Sequence, residues 1–146
     1  MVLTAKEVMD RGVLLVPPET TVGDCVRRMV EDHTGYAVVA PPDRPVLGII
    51  TEWDILAKVV APGRDPAQLV AREIMSAPVT SCGPDDDMEV VVRKMSELGI
   101  RRMLVAKDGR VVGIITSKIV LHRFREYVDR VSRQVAGFHV DASMIG

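Results

Sequence analysis

The chain has 146 residues, of which 47% are hydrophobic and only 3% aromatic, so its core must be built from aliphatic side chains. Its 19 basic and 20 acidic residues give a net charge of −1, which excludes a global attraction to nucleic acid or to an anionic membrane. No apolar run approaches the ~20 residues that a membrane span needs, and the charged N-terminal segment lacks the apolar stretch of a signal peptide. We therefore expect a cytoplasmic protein forming one domain, or two half-domains with a shared core.

The first part of the chain predicts helix, strand, helix, strand, strand and helix. An apolar stripe with helical spacing marks the first long helix: Val22, Cys25, Val26, Met29 and Val30. Segments 36–40 and 46–51 are Val- and Ile-rich predicted strands, and the loop between them contains prolines that cannot donate to a ladder. Because the strands do not alternate apolar and polar residues, both faces of their sheet are expected to be buried.

The second part predicts the same order of elements. Its helical stripe consists of Met88, Val91, Val92 and Met95. Predicted strands at 102–106 and 111–116 flank Asp108-Gly109, which is a strong signal for a tight hairpin turn. The two parts are joined by a Pro- and Gly-containing linker that begins at Ala61.

The two parts also share sequence. Residues 46–56 recur at 111–121 with six of the 11 positions identical, and further identities precede them at an offset of 66. Such self-similarity indicates two copies of one supersecondary unit, each covering what the other exposes. We assign residues 1–60 to repeat 1, 61–69 to the linker, 70–122 to repeat 2 and 123–146 to a C-terminal helix and tail.

The predicted C-terminal helix carries its own apolar stripe, which either packs on the repeats or meets another subunit. The stripe consists of Val120, Phe124, Val128, Val131 and Val135. The tail from Gly137 to Gly146 is expected to be poorly ordered unless a partner holds it.

The ordered set of motifs resembles a pair of cystathionine β-synthase (CBS) domains, the arrangement known as a Bateman module. It comprises Val8-Met9 and Ile74-Met75, the segment from Val16 to Val22, residues 99–105 and the two Gly-Ile-Ile-Thr segments. The resemblance covers roughly residues 4–122. It implies an α+β (mixed α/β) fold of two pseudo-symmetric βαββα units packed sheet to sheet, followed by a C-terminal helix.

The same resemblance implies a function. Such modules bind adenine-containing nucleotides in the clefts between the repeats, commonly form disc-like homodimers, and regulate an enzyme, channel or transporter. The regulatory ligand implied is AMP, ADP or ATP, with S-adenosyl compounds or NAD as alternatives and no other cofactor. With no effector domain in the sequence, an effector protein would be regulated in trans; a ligand-free dimerisation scaffold is the alternative function.

The first candidate cleft centres on Thr51 and Asp54, at a predicted strand-to-helix junction. Backbone N–H groups at a helix start suit a phosphate, and a carboxylate can accept both hydroxyls of a ribose. Thr-x-x-Asp is also the pattern of a helix capping box, so capping and ligand binding are both open. The resemblance assigns the phosphate to Thr51 and the ribose to Asp54.

Arg101 and Arg102 precede a central strand of repeat 2, and guanidinium groups bind phosphate bidentately. By resemblance they would clamp the phosphate of the ligand held by Asp54, although two solvated arginines or a salt bridge to Asp85–Asp87 would also fit. Since neighbouring side chains on a regular strand point to opposite faces, one of the two is expected to face the cleft.

The adenine would lie among apolar residues. Ala37 and the strand near Val79 are expected to form its slot, and Tyr36 either stacks on the base or fills the core. Trp53 either touches the ligand or covers the core or a dimer surface. The second cleft keeps Thr116 but has Ile119 in place of the acid and Gly35-Tyr36 in place of the arginines. We expect it to be empty or to bind a less charged ligand weakly.

Other functional classes find little support in the sequence. The three histidines have no metal-ligand spacing, the cysteines form no Cys-x-x-Cys motif and no Gly-rich phosphate loop is present. Cys25 and Cys82 are expected to be reduced thiols on apolar faces. The arginines of the last helix are interrupted by Glu126 and Asp129, which favours a solvated mixed-charge face over a nucleic-acid surface. We therefore expect neither an enzyme nor a metal site.

Overall fold

The structure is a computed structural model that describes residues 3–137, so residues 138–146 of the predicted tail lie outside the described part. Repeat 1 contains α1 (Ala5–Val8), β1 (Leu15–Val16), α2 (Val22–Glu31), β2 (Tyr36–Val39), β3 (Gly48–Thr51) and α3 (Glu52–Ile55), which continues as a π-helical turn (Leu56–Val60). A 3₁₀ turn (Pro66–Gln68) follows. Repeat 2 contains α4 (Ala71–Ile74), β4 (Ser81–Cys82), α5 (Met88–Leu98), β5 (Arg102–Lys107), β6 (Arg110–Thr116) and α6 (Ser117–Gly137).

Each repeat forms one three-stranded sheet of the same topology. In repeat 1, β1 pairs parallel with β2, and β2 pairs antiparallel with β3. In repeat 2, β4, β5 and β6 pair in the same way. Tyr36 lies opposite Thr51 in the first sheet, and Arg102 lies opposite Thr116 in the second. The mixed fold of two pseudo-symmetric units, predicted from the internal repeat, is confirmed.

The connections between the antiparallel strands differ as the sequence predicts. Asp108 and Gly109 have φ angles of 53° and 77°, and positive φ at both central residues is what a tight hairpin turn requires. Strands β5 and β6 therefore pair up to Lys107 and Arg110. In repeat 1 the ladder ends earlier, at Val39 and Gly48, because the intervening segment is rich in proline.

The core lies on both faces of the sheets. From repeat 2, Leu104 and Ile114 join the buried cluster of repeat 1. Met103, Val105 and Ile115 point to the other face and pack in a second cluster with residues of α1 and α5. The strands read as continuous apolar runs because both of their faces are covered.

The helix that opens each repeat packs on the other repeat. The backbone N–H of Ala5 in α1 donates to the carbonyl of Asp86 at 2.9 Å, and Asp10 pairs with Ile114 in both directions at 2.9 Å. These contacts attach the N-terminal segment to repeat 2. The clefts are thus assembled by two repeats whose opening segments have been exchanged.

The segment around α4 is exchanged in the opposite direction. The N–H of Val22 donates to the carbonyl of Leu69 at 2.8 Å, and the N–H of Ser76 donates to the carbonyl of Ile49 at 2.8 Å. Buried Ile74 lies in the core cluster of repeat 1. The exchange therefore brings Ser76, which belongs to repeat 2 by sequence, beside the end of β3.

The glycine of each Gly-Ile-Ile-Thr segment makes room for this exchange. A side chain at Gly48 would meet the Sδ atom of Met75 at 2.8 Å, and one at Gly113 would meet the Cγ atom of Met9 at 2.7 Å. Each methionine comes from the exchanged segment of the other repeat. The close approach explains why both repeats carry glycine at this position.

The last helix, α6, begins directly after β6 and extends for 21 residues. No residue of α6 is fully buried. Val120, the first residue of its apolar stripe, packs against the core cluster of repeat 2, whereas the other four residues of the stripe are exposed: Phe124, Val128, Val131 and Val135. Within residues 3–137, no helix is both long enough and apolar enough to cross a membrane.

Candidate functional site

A cavity of about 580 Å³ lies between the end of β3 and the start of β5. Four of the predicted site residues line it: Thr51, Val79, Arg101 and Arg102. Its remaining lining comprises Ile49, Glu52, Trp53, Leu56, Ser76, Pro78, Thr80, Gly99 and Ile100. We call this cavity the first cleft; it combines an apolar wall with two guanidinium groups and one carboxylate.

Asp54 lies beneath the first cleft and is only 3% exposed. Its Oδ2 atom accepts hydrogen bonds from the backbone N–H of Thr51 at 2.9 Å and from the Thr51 hydroxyl at 3.2 Å. Its Oδ1 atom accepts from the Ser76 hydroxyl at 2.7 Å and from the Lys58 ammonium at 2.9 Å. The carboxylate is therefore fully engaged within the protein, and it caps α3 in the manner of a capping box.

Burial alone would raise the pKa of Asp54, but the hydrogen bonds from Lys58, Ser76 and Thr51 outweigh it and hold the pKa below its usual value. The Lys58 ammonium also donates to the carbonyl of Ile74 at 2.9 Å. One lysine thus ties the π-helical turn after α3 to the exchanged segment. Asp54 is consequently a charged group at neutral pH, in a compensated environment.

Sequence reasoning anticipated the capping contact of Asp54 with Thr51 but missed its two other partners, Lys58 and Ser76. Lys58 had a usable signal, because a carboxylate and a lysine four residues apart in a helix lie on the same face. Ser76 had none, since it is 22 positions away and reaches Asp54 only through the exchange of segments.

Arg101 and Arg102 both line the first cleft. The expected alternation does not separate them, because β5 begins only at Arg102 and Arg101 precedes the regular strand. The Arg102 guanidinium lies 3.4 Å from the Glu52 carboxylate and 5.9 Å from the centroid of the Tyr36 ring. Arg102 therefore contacts repeat 1 on both sides. Its ion-pair partner is Glu52 rather than the acidic run at Asp85.

Besides Asp54, which is buried and does not line the first cleft, two more of the predicted residues are absent from its lining. Ala37 is fully buried in the core. Tyr36 is buried against Arg102 and lines the neighbouring cavities on the side of Thr116. The structure therefore places the aromatic ring between the two clefts, and the apolar wall of the first cleft is provided by Ile49, Pro78 and Val79 instead.

Trp53 lines the first cleft and is 72% exposed. It is the only tryptophan of the chain. Its indole does not cover the core, so a ligand or a second subunit remains as its contact. Glu52, which sequence reasoning did not single out, lies in the same wall beside Arg102.

A second cavity, of about 540 Å³, lies on the side of β6 and is called the second cleft here. It contains Thr116 and Ile119 as predicted, and the N–H of Ile119 donates to the Thr116 hydroxyl at 3.1 Å. Its lining also includes two carboxylates, Asp10 and Asp32, and five basic side chains that the prediction did not place there: His33, Lys118, His122, Arg123 and Arg125. The lysine and the two arginines come from α6 rather than from the positions equivalent to Arg101 and Arg102.

The structure shows the state of the two cysteines and the distribution of metal-ligating side chains. Cys25 and Cys82 are free thiols, and burial raises the pKa of Cys82 to about 11, so this thiol stays protonated at neutral pH. Residues 3–137 contain no cluster of three or more His, Cys, Asp or Glu side chains arranged to hold a metal ion.

Comparison with known proteins gives a consistent result. The family model of the CBS domain matches residues 5–61 and 71–126. An uncharacterised protein of Methanopyrus kandleri, MK0525, is 35% identical over 116 residues, which are 79% of this chain and 59% of that protein. The chain therefore spans less than two thirds of this relative.

Solved structures agree with the family match. The hexameric CBS-CP12 protein of bloom-forming cyanobacteria is 32% identical, with a TM-score of 0.76 over 98% of this chain and 85% of that one. The CBS domain pair of protein MJ0100, in complex with 5′-methylthioadenosine and S-adenosyl-L-methionine, is 24% identical and shares the fold, with a TM-score of 0.78 over 87% and 99% of the two chains. The chain belongs to the CBS domain family and carries two copies of that domain.

Proposed function

We propose that this chain is a regulatory module that binds an adenine nucleotide, AMP, ADP or ATP, in the first cleft. The ligand would change the shape of a homodimer, and a partner protein would be regulated in trans. The observation that carries the proposal is the position of Arg101 and Arg102 of repeat 2 across one cavity from Thr51 of repeat 1. A ligand in contact with both repeats favours one relative arrangement of them and shifts the population toward it.

The lining of the first cleft suits the phosphate and the base of a nucleotide. Two guanidinium groups suit phosphate oxygens, which they bind with charge-assisted hydrogen bonds. The base fits the apolar wall formed by Ile49, Pro78 and Val79. The cavity of about 580 Å³ has a volume typical of small-molecule sites.

Recognition of the ribose by Asp54 requires a local exchange of partners. In the structure, the Ser76 hydroxyl occupies the Oδ1 atom at 2.7 Å. A ribose hydroxyl would replace the Ser76 hydroxyl as donor, while the bonds from Thr51 and Lys58 hold the carboxylate in place. Because Ser76 belongs to the exchanged segment, this step would transmit ligand binding to the connection between the repeats.

Self-association is supported by an apolar surface beside the first cleft. Trp53, Leu56 and Val60 are more than half exposed along α3 and its π-helical turn. Exposed apolar side chains clustered in this way mark interaction surfaces. The structural relative from cyanobacteria is hexameric, so assembly of CBS proteins into oligomers has a precedent.

A second candidate ligand class is favoured by Glu52. Its carboxylate lines the first cleft beside Arg102 and would attract the ammonium or sulfonium group of an S-adenosyl compound while repelling a phosphate. The domain pair of MJ0100 was solved with such a compound. The two classes differ in charge, so they are separable by experiment.

The decisive experiment is a titration of ligand-stripped protein with AMP, ADP, ATP and S-adenosylmethionine. Binding is monitored by calorimetry and by the fluorescence of Trp53. We expect saturable binding of a nucleotide near one per chain, with a change in fluorescence. Arg102→Gln should weaken it by roughly tenfold through loss of a charge-assisted contact. Arg93→Gln on α5 is the matched control, because it removes the same charge from a residue that does not line the cleft.

The outcomes separate the hypotheses. Binding that is weakened by Arg102→Gln but not by Arg93→Gln supports the nucleotide module. Binding of S-adenosylmethionine that is weakened by Glu52→Gln, with none of the nucleotides bound, supports the alternative ligand class. Absence of binding by both methods would contradict the sensor and leave a dimerisation scaffold.

A further inference from the structure

The apolar residues of α6 follow a heptad repeat. Leu121, Phe124, Val128, Val131 and Val135 are separated by three, four, three and four residues. Alternation of three and four is the spacing of positions a and d in a coiled coil. These five residues, called the α6 seam here, form one line along the helix.

The α6 seam is exposed along its whole length. Its members range from 37% exposed at Val131 to 66% at Leu121, and no residue of α6 is buried. A single exposed valine is ordinary, but five aligned apolar residues on a 21-residue helix form a continuous unpartnered surface. We propose that the α6 seam binds the α6 seam of a second copy of this chain, as a two-stranded coiled coil.

The charges of α6 are arranged as such a pair requires. The positions that flank the seam are Val120, Arg125, Tyr127, Ser132 and Gln134, and only one of them is charged. Two copies therefore meet without a row of opposed like charges. Lys118 precedes the seam, and the other charged residues after Leu121 occupy the outer positions, where they remain solvated: Arg123, Glu126, Asp129, Arg130 and Arg133.

A pair of helices matches the homodimer proposed above. Leu121, Val128 and Val135 occupy position a of the seam, and Phe124 and Val131 occupy position d. The helix is about 30 Å long by its rise per residue, which is short for an independent coiled coil. Contact between two complete modules would therefore be needed alongside the helix pair. The proposal concerns α6 only and does not rest on a ligand in the first cleft.

Cross-linking tests the contact directly in the full chain. Val128→Cys places a thiol in the seam, and Arg130→Cys places one on the outer face two residues later. A short bis-maleimide reagent should link the first variant into dimers at least tenfold faster than the second. The parent protein, with Cys25 and Cys82, gives the background.

Two results would overturn the proposal. Equal cross-linking of the two variants would show that the seam does not face a second copy. A thiol at residue 128 that resists a monofunctional maleimide in a monomeric protein would show that the chain covers the seam itself.

A second pair of variants tests the energetics. Val131→Lys and Asp129→Asn both raise the net charge by one, but only the first places that change in the seam. In sedimentation equilibrium of the full chain, Val131→Lys should weaken self-association at least tenfold, and Asp129→Asn should leave it within a factor of two. Equal dissociation constants for Val131→Lys and the parent would contradict the proposal.

Discussion

The two repeats use the same strand-to-helix junction in different ways. In repeat 1, Thr51 donates its N–H and hydroxyl to the buried Asp54. In repeat 2, Thr116 instead accepts the N–H of Ile119 at 3.1 Å. One backbone frame thus carries an ionic network in one copy and a simple side-chain cap in the other. The frame itself does not need the acid, so the network around Asp54 adds polar contacts that the second junction lacks.

The difference extends to what each junction contacts. Asp54 joins Ser76 of the exchanged segment and Lys58 of the π-helical turn. Ile119 packs with the apolar cluster of repeat 2. The first junction is therefore coupled to the connection between the repeats through hydrogen bonds and an ion pair, whereas the second is held by apolar packing.

The largest effect is expected for Asp54→Asn. The amide keeps the shape but removes the charge that compensates Lys58 and accepts three other hydrogen bonds. The free energy of unfolding should fall by about 2–3 kcal/mol, as measured by urea denaturation at neutral pH. Glu52→Gln is the matched control on the same helix, and its exposed side chain should cost less than about 0.5 kcal/mol. Equal effects of the two variants would contradict the structural role of Asp54.

The same variant predicts a pH dependence. The pKa of Asp54 is lower in the folded protein than its usual value, so its charge stabilises the fold above the unfolded pKa of about 4. That stabilisation is lost as the pH falls through the folded pKa. The stability difference between the parent and Asp54→Asn should therefore be full at pH 6–7 and shrink below about pH 4. A difference that stays constant down to about pH 2 would refute the assignment.

An intermediate effect is expected for Lys58→Met, which keeps the aliphatic stem. Asp54 then retains its burial without its counter-charge, and the pKa of Asp54 rises. We expect a loss of about 1–2 kcal/mol at pH 7, discounted because Lys58 is partly exposed. The loss should narrow in acid, where protonated Asp54 needs no counter-charge. Lys118→Met, on the equivalent side of the second cleft, is the control and should change stability by less than about 0.5 kcal/mol.

A smaller effect is expected for Ser76→Ala. It removes one hydrogen bond to Asp54 while Lys58 continues to occupy the same oxygen, so the loss of stability should be about 1 kcal/mol. Ligand affinity gives a second readout, since a ribose hydroxyl no longer has to displace the serine. If nucleotide binds more weakly to Ser76→Ala than to the parent, the proposed exchange of partners is wrong.

The smallest effect on stability is expected for Arg102→Gln. Its contacts with Glu52 at 3.4 Å and with the Tyr36 ring at 5.9 Å are both at the limit of useful range. The free energy of unfolding, measured by thermal denaturation, should change by less than about 0.5 kcal/mol, even though nucleotide affinity falls. A large loss of stability would show that Arg102 is mainly structural.

Sequence reasoning found the repeats because Gly-Ile-Ile-Thr recurs, and it placed Thr51, Arg101 and Arg102 near one cleft through the resemblance to CBS domain pairs. It missed Lys58 although the spacing of four residues from Asp54 was a usable signal. It could not place Ser76 beside Asp54, because that contact arises only after the segments are exchanged. Local patterns report which face of a strand is apolar. They do not report on which of two similar sheets a short helix will pack. The packing of α4 on repeat 1 determines the surroundings of Asp54. Whether Asp54 binds a ribose stays a prediction.

Because α1 and α4 are exchanged, neither half of the chain is complete without the other. Each half, taken alone, would expose the surface at Gly48 or Gly113 on which Met75 or Met9 packs. Its own first helix, α1 or α4, would have no surface to pack on. Two identical halves could satisfy each other only by trading those helices, which is the geometry of a domain-swapped dimer. The chain is such a dimer joined by a linker, and its halves are free to diverge at Asp54 and Ile119 while remaining obligate partners.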